Sequence, residues 1–371
     1  MSVPLLDLKA QWAQIGDEVM AAMQPTLDTA GYILGPPVKQ LEEEIAAYCS
    51  SEHAVGCASG SDALILALLA LGVGPGDEVI LPSFTFFATT GAVSRIGATP
   101  LFADNDPRNF NILPGEIARL ATPRTKACIP VHLFGQACDM DTIMAECRVR
   151  GIAVIEDAAQ SIGAQYKGRR IGDTGGDIVT LSFYPTKNLG CMGDGGMCVT
   201  GDAALAKRMR ILRNHGMQPK YHHPYIGMNS RLDSLQAAAL NVKMKYLEGW
   251  HEARRQNAAD YDAKLAGVAG VTIPYIEPQC QSIYNQYTIR VAGGKRNALA
   301  AGFRERGIGF EIYYPVPCHL QECYSSLGMK PGSLPHSEAC AKDVISLPIY
   351  PELSSAQRDE VVAAIKEILA A

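Results

Sequence analysis

Residues 182–196, SFYPTKNLGCMGDGG, follow directly on an apolar run and decide how the chain is read. Residues 178–183 are apolar except for Thr180 and Ser182, which is the pattern of a buried strand ending in a hydroxyl. A Tyr-Pro turn and Lys187 come next. A tail rich in glycine follows, flexible enough to wrap a ligand. Lysine is a residue that chains mostly leave in solvent. One placed between a buried strand and such a tail belongs to the edge of a sheet where ligands bind, outside the carboxyl ends of the strands.

The preceding sequence supplies that sheet. From about residue 53, short apolar runs alternate with helical stretches: HAVGCAS with SDALILALLALG, EVILP with FFATTGAVSRIG, TPLFAD with PGEIARLA, KACIPVHLFG with DMDTIMAECRVRG, then IAVIED. Such alternation is the mark of a mainly parallel sheet covered by helices. Upstream, GPPVKQLEEEIAAYC reads as a helix that begins at its prolines and shares Val38, Leu41 and Ile45 on one face.

Past residue 230 the texture becomes more polar. RLDSLQAAALNVKMKYLEGWHEARRQNAADYDAKL reads as a long helix leaving the first domain. QYTIRV reads as a strand, RNALAAGFRERG as a helix and IGFEIYYPV as a strand. Ser354 and Gln357 have the spacing of a capping box before the last helix. The expected architecture is α/β: an N-terminal segment and large domain over residues 1–245, and a smaller α+β domain over 246–371. A chain of 371 residues has room for two such domains.

Composition excludes several classes. Hydrophobic residues make up 47% and charged residues 19%, an ordinary globular balance. The net charge is −5 with no basic block, which argues against nucleic acid or an anionic membrane as partner. The N-terminus lacks a signal-peptide pattern, and ALILALLALGVG is far short of a membrane span. The eleven cysteines are odd in number and contain no C-x-x-C, so free thiols in a reducing, cytoplasmic setting are expected. Neither the cysteines nor the eight histidines show zinc spacing, and no metal is expected.

Three strand endings carry chemistry. CASGSDAL puts Gly60 and Ser61 at a strand-to-helix junction, where free N–H groups favour an anion; a simply capped helix would read the same way. IAVIEDAAQ ends a buried strand at Asp157, with Gln160 three residues on; a ligand partner and a helix cap are equal alternatives there. Ser182 and Lys187 form the third. An anion pocket, a buried carboxylate and a lysine are together what pyridoxal phosphate requires: donors for its phosphate, an acid for its ring nitrogen and an amine for its aldehyde. The nucleotide fingerprints G-x-G-x-x-G and G-x-x-x-x-G-K-[ST] are absent from the sequence.

With these residues in place, the chain resembles the sugar aminotransferases of the DegT/DnrJ/EryC1/StrS type, which are fold-type I pyridoxal phosphate enzymes. The matching stretches run in order over nearly the whole chain: GPPVKQLEEEIA, SGSDALILAL, PSFTFFAT, EDAAQSIGA, SFYPTKNLG, GDGG, GMNSRLDSLQAA, YYPVPCHLQ and ISLPIYPEL. The resemblance implies that Lys187 is the Schiff-base lysine and Asp157 the partner of the pyridine nitrogen. It implies that Gln160 approaches the phenolic oxygen, that Gly60, Ser61 and Ser182 contact the phosphate, and that Phe86 stacks on the ring. Asn229 matches an asparagine that reaches the phosphate of the neighbouring subunit, which implies a homodimer with shared sites.

The same resemblance implies transamination from glutamate to a keto-sugar carried on a nucleotide diphosphate, in making amino sugars for surface polysaccharides or glycosylated metabolites. Dehydratases of the family carry histidine where Lys187 stands. KNLG with GDGG resembles the members that aminate C3, and the segment around KYHHPYIGMNSRLD is similar to branches that use UDP-linked rather than dTDP-linked sugars. Tyr184, His215, Tyr221 and Arg231 are candidates for contact with sugar or diphosphate. Two other readings stand beside this one: a pyridoxal-dependent sugar dehydratase or lyase, and a silent homologue serving as a regulatory or binding subunit.

Overall fold

The computed structural model describes residues 3–370. Two helices lead in, α1 (Leu8–Thr29) and α2 (Pro36–Tyr48). α1 was not among the helices expected, although Trp12, Ile15, Val19 and Met23 recur at helical spacing. It starts at Asp7, whose Oδ1 accepts from the N–H groups of Lys9 and Ala10, each at 3.0 Å, a cap of about 1 kcal/mol. α2 begins at its prolines and buries Val38, Leu41 and Ile45, the face expected of it.

The alternation from residue 53 builds the large sheet. Its elements are β1 (His53–Cys57), α3 (Gly60–Ala70), β2 (Glu78–Pro82), α4 (Phe87–Arg95), β3 (Thr99–Ala103), α5 (Gly115–Leu120), β4 (Thr125–Cys128), α6 (Met140–Arg148), β5 (Ala153–Asp157), β6 (Ile178–Ser182), β7 (Gly196–Thr200) and α7 (Ala203–Leu212). The strand order is β1-β7-β6-β5-β4-β2-β3. Neighbours from β6 through β3 pair in parallel, and β7 alone runs against both its neighbours. The sheet is therefore mainly parallel, and residues ending β1, β2, β5 and β6 share one edge.

The glycines after Lys187 are not a flexible tail. Gly196 opens β7 opposite Ser182. A Cβ on Gly196 would lie 2.3 Å from the Ser59 carbonyl oxygen, so glycine is there for close approach of two backbones.

The long helix expected after residue 230 is two, α8 (Ser234–Met244) and α9 (Leu247–Leu265). Between them the ladder tightens, with Lys245 N donating to Val242 O and Tyr246 N to Lys243 O. The break also turns Lys245 Nζ and Tyr246 OH onto Glu18 of α1. Beyond α9 lie β8 (Tyr287–Val291), α10 (Arg296–Arg306), α11 (Pro335–Asp343), β9 (Val344–Leu347) and α12 (Ser355–Ala370). β8 and β9 pair antiparallel, and Tyr261, Tyr287, Phe303, Ile345 and Ile365 pack in a core of their own. Ser354 and Gln357 cap α12 reciprocally, as read from the sequence.

IGFEIYYPV does not form a strand. It makes only single bridges, Ile308 to Val3 and Glu311 to Ser346. Pro315 and Pro317 cannot donate to a ladder, and Glu311, Ile312, Tyr313 and Tyr314 line a cavity instead. All eleven cysteines are unpaired. Among the described residues no helix is long and apolar enough to cross a membrane, and no group of His, Cys, Asp and Glu could hold a metal ion.

Candidate active site

A cavity of about 500 Å³ opens at the carboxyl edge of the large sheet. Gly60, Ser61, Phe86, Asp157, Gln160, Ser182, Tyr184 and Lys187 all line it. Four stretches of sequence spanning 127 positions, from Gly60 to Lys187, meet here because parallel strands end at the same edge. Lys187 follows the turn in which its N–H donates to Tyr184 O at 2.8 Å. Burial pushes its ammonium down to about 8, against the opposing charge of Asp157. An amine of that pKa is in part unprotonated near neutral pH and can act as nucleophile or base.

Asp157 ends β5 and is buried. Its Oδ2 accepts from Thr89 Oγ1 at 2.8 Å and its Oδ1 from Ala159 N at 3.2 Å. Burial raises its carboxyl above the ordinary range, while Thr89, Ala159, and the charges of Lys187 and His132 pull the other way. Among the described residues Asp157 makes no direct ion pair, and the charges of Lys187 and His132 act on it from further off. Gln160 is fixed at both ends: its Oε1 accepts from Phe134 N at 2.8 Å and its Nε2 donates to Tyr314 OH at 3.0 Å.

α3 points its first turn at the cavity. Ser59 caps it by accepting from Asp62 N at 3.1 Å, which leaves the N–H groups of Gly60 and Ser61 without an intrahelical acceptor. A Cβ on Gly60 would stand 2.6 Å from Ser182 Cβ, so only glycine lets this helix start come up against the Ser182 hydroxyl. Phe86 caps the entry to α4 and is 57% exposed, unusual for its size, with its ring 6.0 Å from that of Tyr314.

Four of the sequence candidates are not brought to this cavity within one chain. Asn229 is exposed, and Asn214 bridges to it, which folds residues 214–229 back on themselves. Arg231 Nη1 is bound to Asn214 Oδ1 at 3.1 Å. His215 gives its N–H to Met228 O, and Tyr221 stands 77% exposed. Conversely, Thr89 and Tyr314 were not singled out from the sequence. Thr89 lies in the quoted PSFTFFAT neighbourhood, one turn into α4, and Tyr314 in YYPVPCHLQ; only folding shows what either touches.

The set fits pyridoxal phosphate. It offers an anion cradle that a single Cβ would fill, a buried acid without an ion-pair partner, a buried amine of lowered pKa and an exposed aromatic face, all on one cavity. The fold and this donor set together are those of a fold-type I pyridoxal phosphate enzyme. The DegT/DnrJ/EryC1/StrS aminotransferase family model matches residues 13–366, and the chain belongs to that family. The family depends on pyridoxal phosphate.

Among relatives, the chain is 48% identical to the "pleiotropic regulatory protein" of Geobacillus stearothermophilus, covering 99% of this chain and 98% of that one. It is 45% identical to the dTDP-3-amino-3,4,6-trideoxy-alpha-D-glucose transaminase of Streptomyces venezuelae, over 98% and 96%. It is 43% identical to the UDP-N-acetyl-3-dehydro-alpha-D-glucosamine 3-aminotransferase of Acidithiobacillus ferrooxidans, over 99% and 98%. The crystal structure of S. venezuelae DesV in complex with a ketimine intermediate superposes with a TM-score of 0.95 at 45% identity, covering 99% of this chain and 98% of that one.

Proposed function

We propose that this protein transfers the amino group of glutamate to the C3 ketone of a nucleotide-diphosphate sugar, working as a homodimer. The observation that carries the reading is the meeting of Lys187 and Asp157 in one cavity with the start of α3. Relatives whose names describe 3-amino or 3-dehydro sugars, one dTDP-linked and one UDP-linked, support the regiochemistry.

When bound, the cofactor supplies a carbonyl for amines and a ring that draws off the electron pair left by a departing α-proton. The chain's own groups do the rest. The N–H groups of Gly60 and Ser61 and the Ser182 hydroxyl hold the phosphate. Asp157 keeps a proton on the ring nitrogen, its own orientation fixed by Thr89 and Ala159. Gln160 would meet the cofactor's phenolic oxygen, and Phe86 would offer its exposed face to the ring. Lys187 Nζ would be the amine that holds the cofactor's aldehyde, and its lowered pKa suits it to move a proton at the reacting carbon as general base and acid. Tyr184, from the same turn, faces the sugar. Asn229 serves the partner's phosphate site, which accounts for its exposure in a single chain. His215, Tyr221 and Arg231 belong to that same crossing segment and meet the partner's substrate.

The relative named as a regulatory protein raises the silent-homologue reading, but a silent chain has no chemical need for a lysine of lowered pKa beside a buried acid. The test is to incubate the purified protein and pyridoxal phosphate with glutamate and a panel of UDP- and dTDP-linked 3-keto and 4-keto sugars, with NMR of the products. A 3-amino sugar with release of 2-oxoglutarate is the expected result. Amination at C4 alone refutes the regiochemistry, and no amino transfer to any member refutes the function.

A further inference from the structure

Every substrate proposed for this cavity is an anion, yet its wall carries three carboxylates, Asp157, Asp194 and Glu311, and a single cation, Lys187, which is the reacting amine. A dicarboxylate donor therefore needs a positive group from elsewhere. One buried cation borders the Lys187 turn: Arg254 on α9, which lines a small space together with Lys187 and is only 3% exposed. All its hydrogen bonds run through Nη1, to the carbonyl oxygens of Tyr284 at 3.0 Å, Asn285 at 3.5 Å and Ile349 at 2.9 Å. Nε is buried with no partner, and Arg254 is in no ion pair among the described residues. Burial pushes the guanidinium down to about 10, so it stays charged at neutral pH, helped by the Glu352 charge. Glu352 opposes that charge without a direct ion pair, so the buried guanidinium is only partly compensated, a costly arrangement.

Arg254 lines an annex of about 50 Å³ whose other walls include Thr186, Asn285, Gln286 and Tyr313. Thr186, Gln286 and Tyr313 also line the main cavity, so the two spaces adjoin. The annex is several times the roughly 10–15 Å³ that a single water needs, room for a carboxylate and not for a sugar ring. Gln286 Oε1 has no partner either, and an amide flip would turn its NH₂ inward instead. Arg254 also borders a space of about 10 Å³ with Lys187, Asp7 and Glu352, large enough for one water.

From this geometry we infer that the annex is the subsite for a carboxylate of the amino donor, held by the unpaired edge of Arg254 with the Gln286 amide beside it. Arg254 is thus a donor-specificity residue, separate from the groups that hold the cofactor or the sugar. The inference rests on the aminotransferase reading and sharpens it to donors that carry a carboxylate in addition to the reacting amine.

The test compares wild type with Arg254→Lys, which keeps the buried charge but loses the planar fork. KM for glutamate is expected to rise about ten- to a hundredfold, the usual weight of a charge-assisted hydrogen bond. KM for the sugar nucleotide should move less than about twofold, which separates a donor subsite from general damage. Glutarate, which has no amine, should bind wild type calorimetrically and bind the variant at least about tenfold more weakly. If the variant does not fold, wild type decides: glutamate diethyl ester should be a donor at least about tenfold worse than glutamate. Unchanged glutamate KM and glutarate affinity in Arg254→Lys overturn the inference, as does a diester used as well as glutamate, or a loss confined to the sugar nucleotide. If glutarate binds as expected but no amino acid donates, the aminotransferase reading fails and the carboxylate subsite stands.

Discussion

Thr89 Oγ1 donates to Asp157 Oδ2 at 2.8 Å, tying the first turn of α4 to the end of β5 across the floor of the cavity. The same hydroxyl lies 3.2 Å from Thr85 Oγ1, so the acid is oriented by a short relay rather than by a lone contact. Replacing Thr89 with valine keeps shape and removes the donor. Asp157 is then left with Ala159 N as its main support, at a cost of about 1–3 kcal/mol for a buried charged acceptor. Thr89→Val should raise the apparent dissociation constant for pyridoxal phosphate about tenfold or more and lower kcat. Equilibrium dialysis of the cofactor is the measurement; unchanged affinity would mean that Thr89 is only packing.

The Lys187 amine gives a pH prediction. With its ammonium pushed down to about 8, the fraction able to attack an aldehyde rises steeply as pH climbs through that value. Uptake of pyridoxal phosphate by the cofactor-free protein should therefore speed up with a midpoint near pH 8, followed by visible absorbance, and borohydride should trap the cofactor on the peptide bearing Lys187. The stability consequence has a definite sign. Between about 8 and the ordinary 10.5 the unfolded chain binds the proton and the folded one does not, so this group makes the cofactor-free protein more stable as pH rises through that window. Lys187→Ala should abolish both the uptake profile and this part of the pH dependence.

Gly60 and Ser182 allow a steric test of the phosphate cradle. Gly60→Ala places a methyl 2.6 Å from Ser182 Cβ, and α3 must back away from the strand end. Cofactor affinity should fall by about tenfold or more, since the N–H groups and hydroxyl then no longer converge. Ser182→Gly on top of Gly60→Ala relieves the clash and should recover helix position but not the hydroxyl's share. A double variant that binds no better than Gly60→Ala would show that the close approach is not what the glycine is for.

The parts legible in the sequence were those governed by local period and by strand ends. The apolar runs and their helices were readable because most strand residues are buried on both faces, and Asp157, Ser182 and Gly60 were findable because they stand where those runs end. What escaped was set by long-range contact. Thr89, Tyr314 and Arg254 look ordinary in sequence, and their meaning comes only from Asp157, Gln160 and an unpaired guanidinium edge. Residues 308–316 have a strand's composition, yet Pro315, with Pro317 just beyond, and a place in the cavity wall keep them to single bridges. α1 was missed although Trp12, Ile15, Val19 and Met23 recur at helical spacing behind the capping Asp7.

Asn229 provides the last test, because its side chain is exposed and does not line the cavity of its own chain. If it completes the phosphate site of a second copy, each active site needs Lys187 from one chain and Asn229 from the other. Lys187→Ala and Asn229→Ala chains should each be nearly inactive alone. Mixing them under conditions of subunit exchange gives heterodimers in which one site has both residues intact and the other has neither. At equal amounts, half of the dimers are mixed and half of their sites are whole, so about a quarter of wild-type activity should return, an expectation that assumes random association. The readout is amino transfer from glutamate, with exchange verified by native mass spectrometry. Recovery near that level places Asn229 across the interface. No recovery despite proven exchange places it in its own chain's site or outside the site altogether, and with it the assignment of His215, Tyr221 and Arg231 to the partner's substrate.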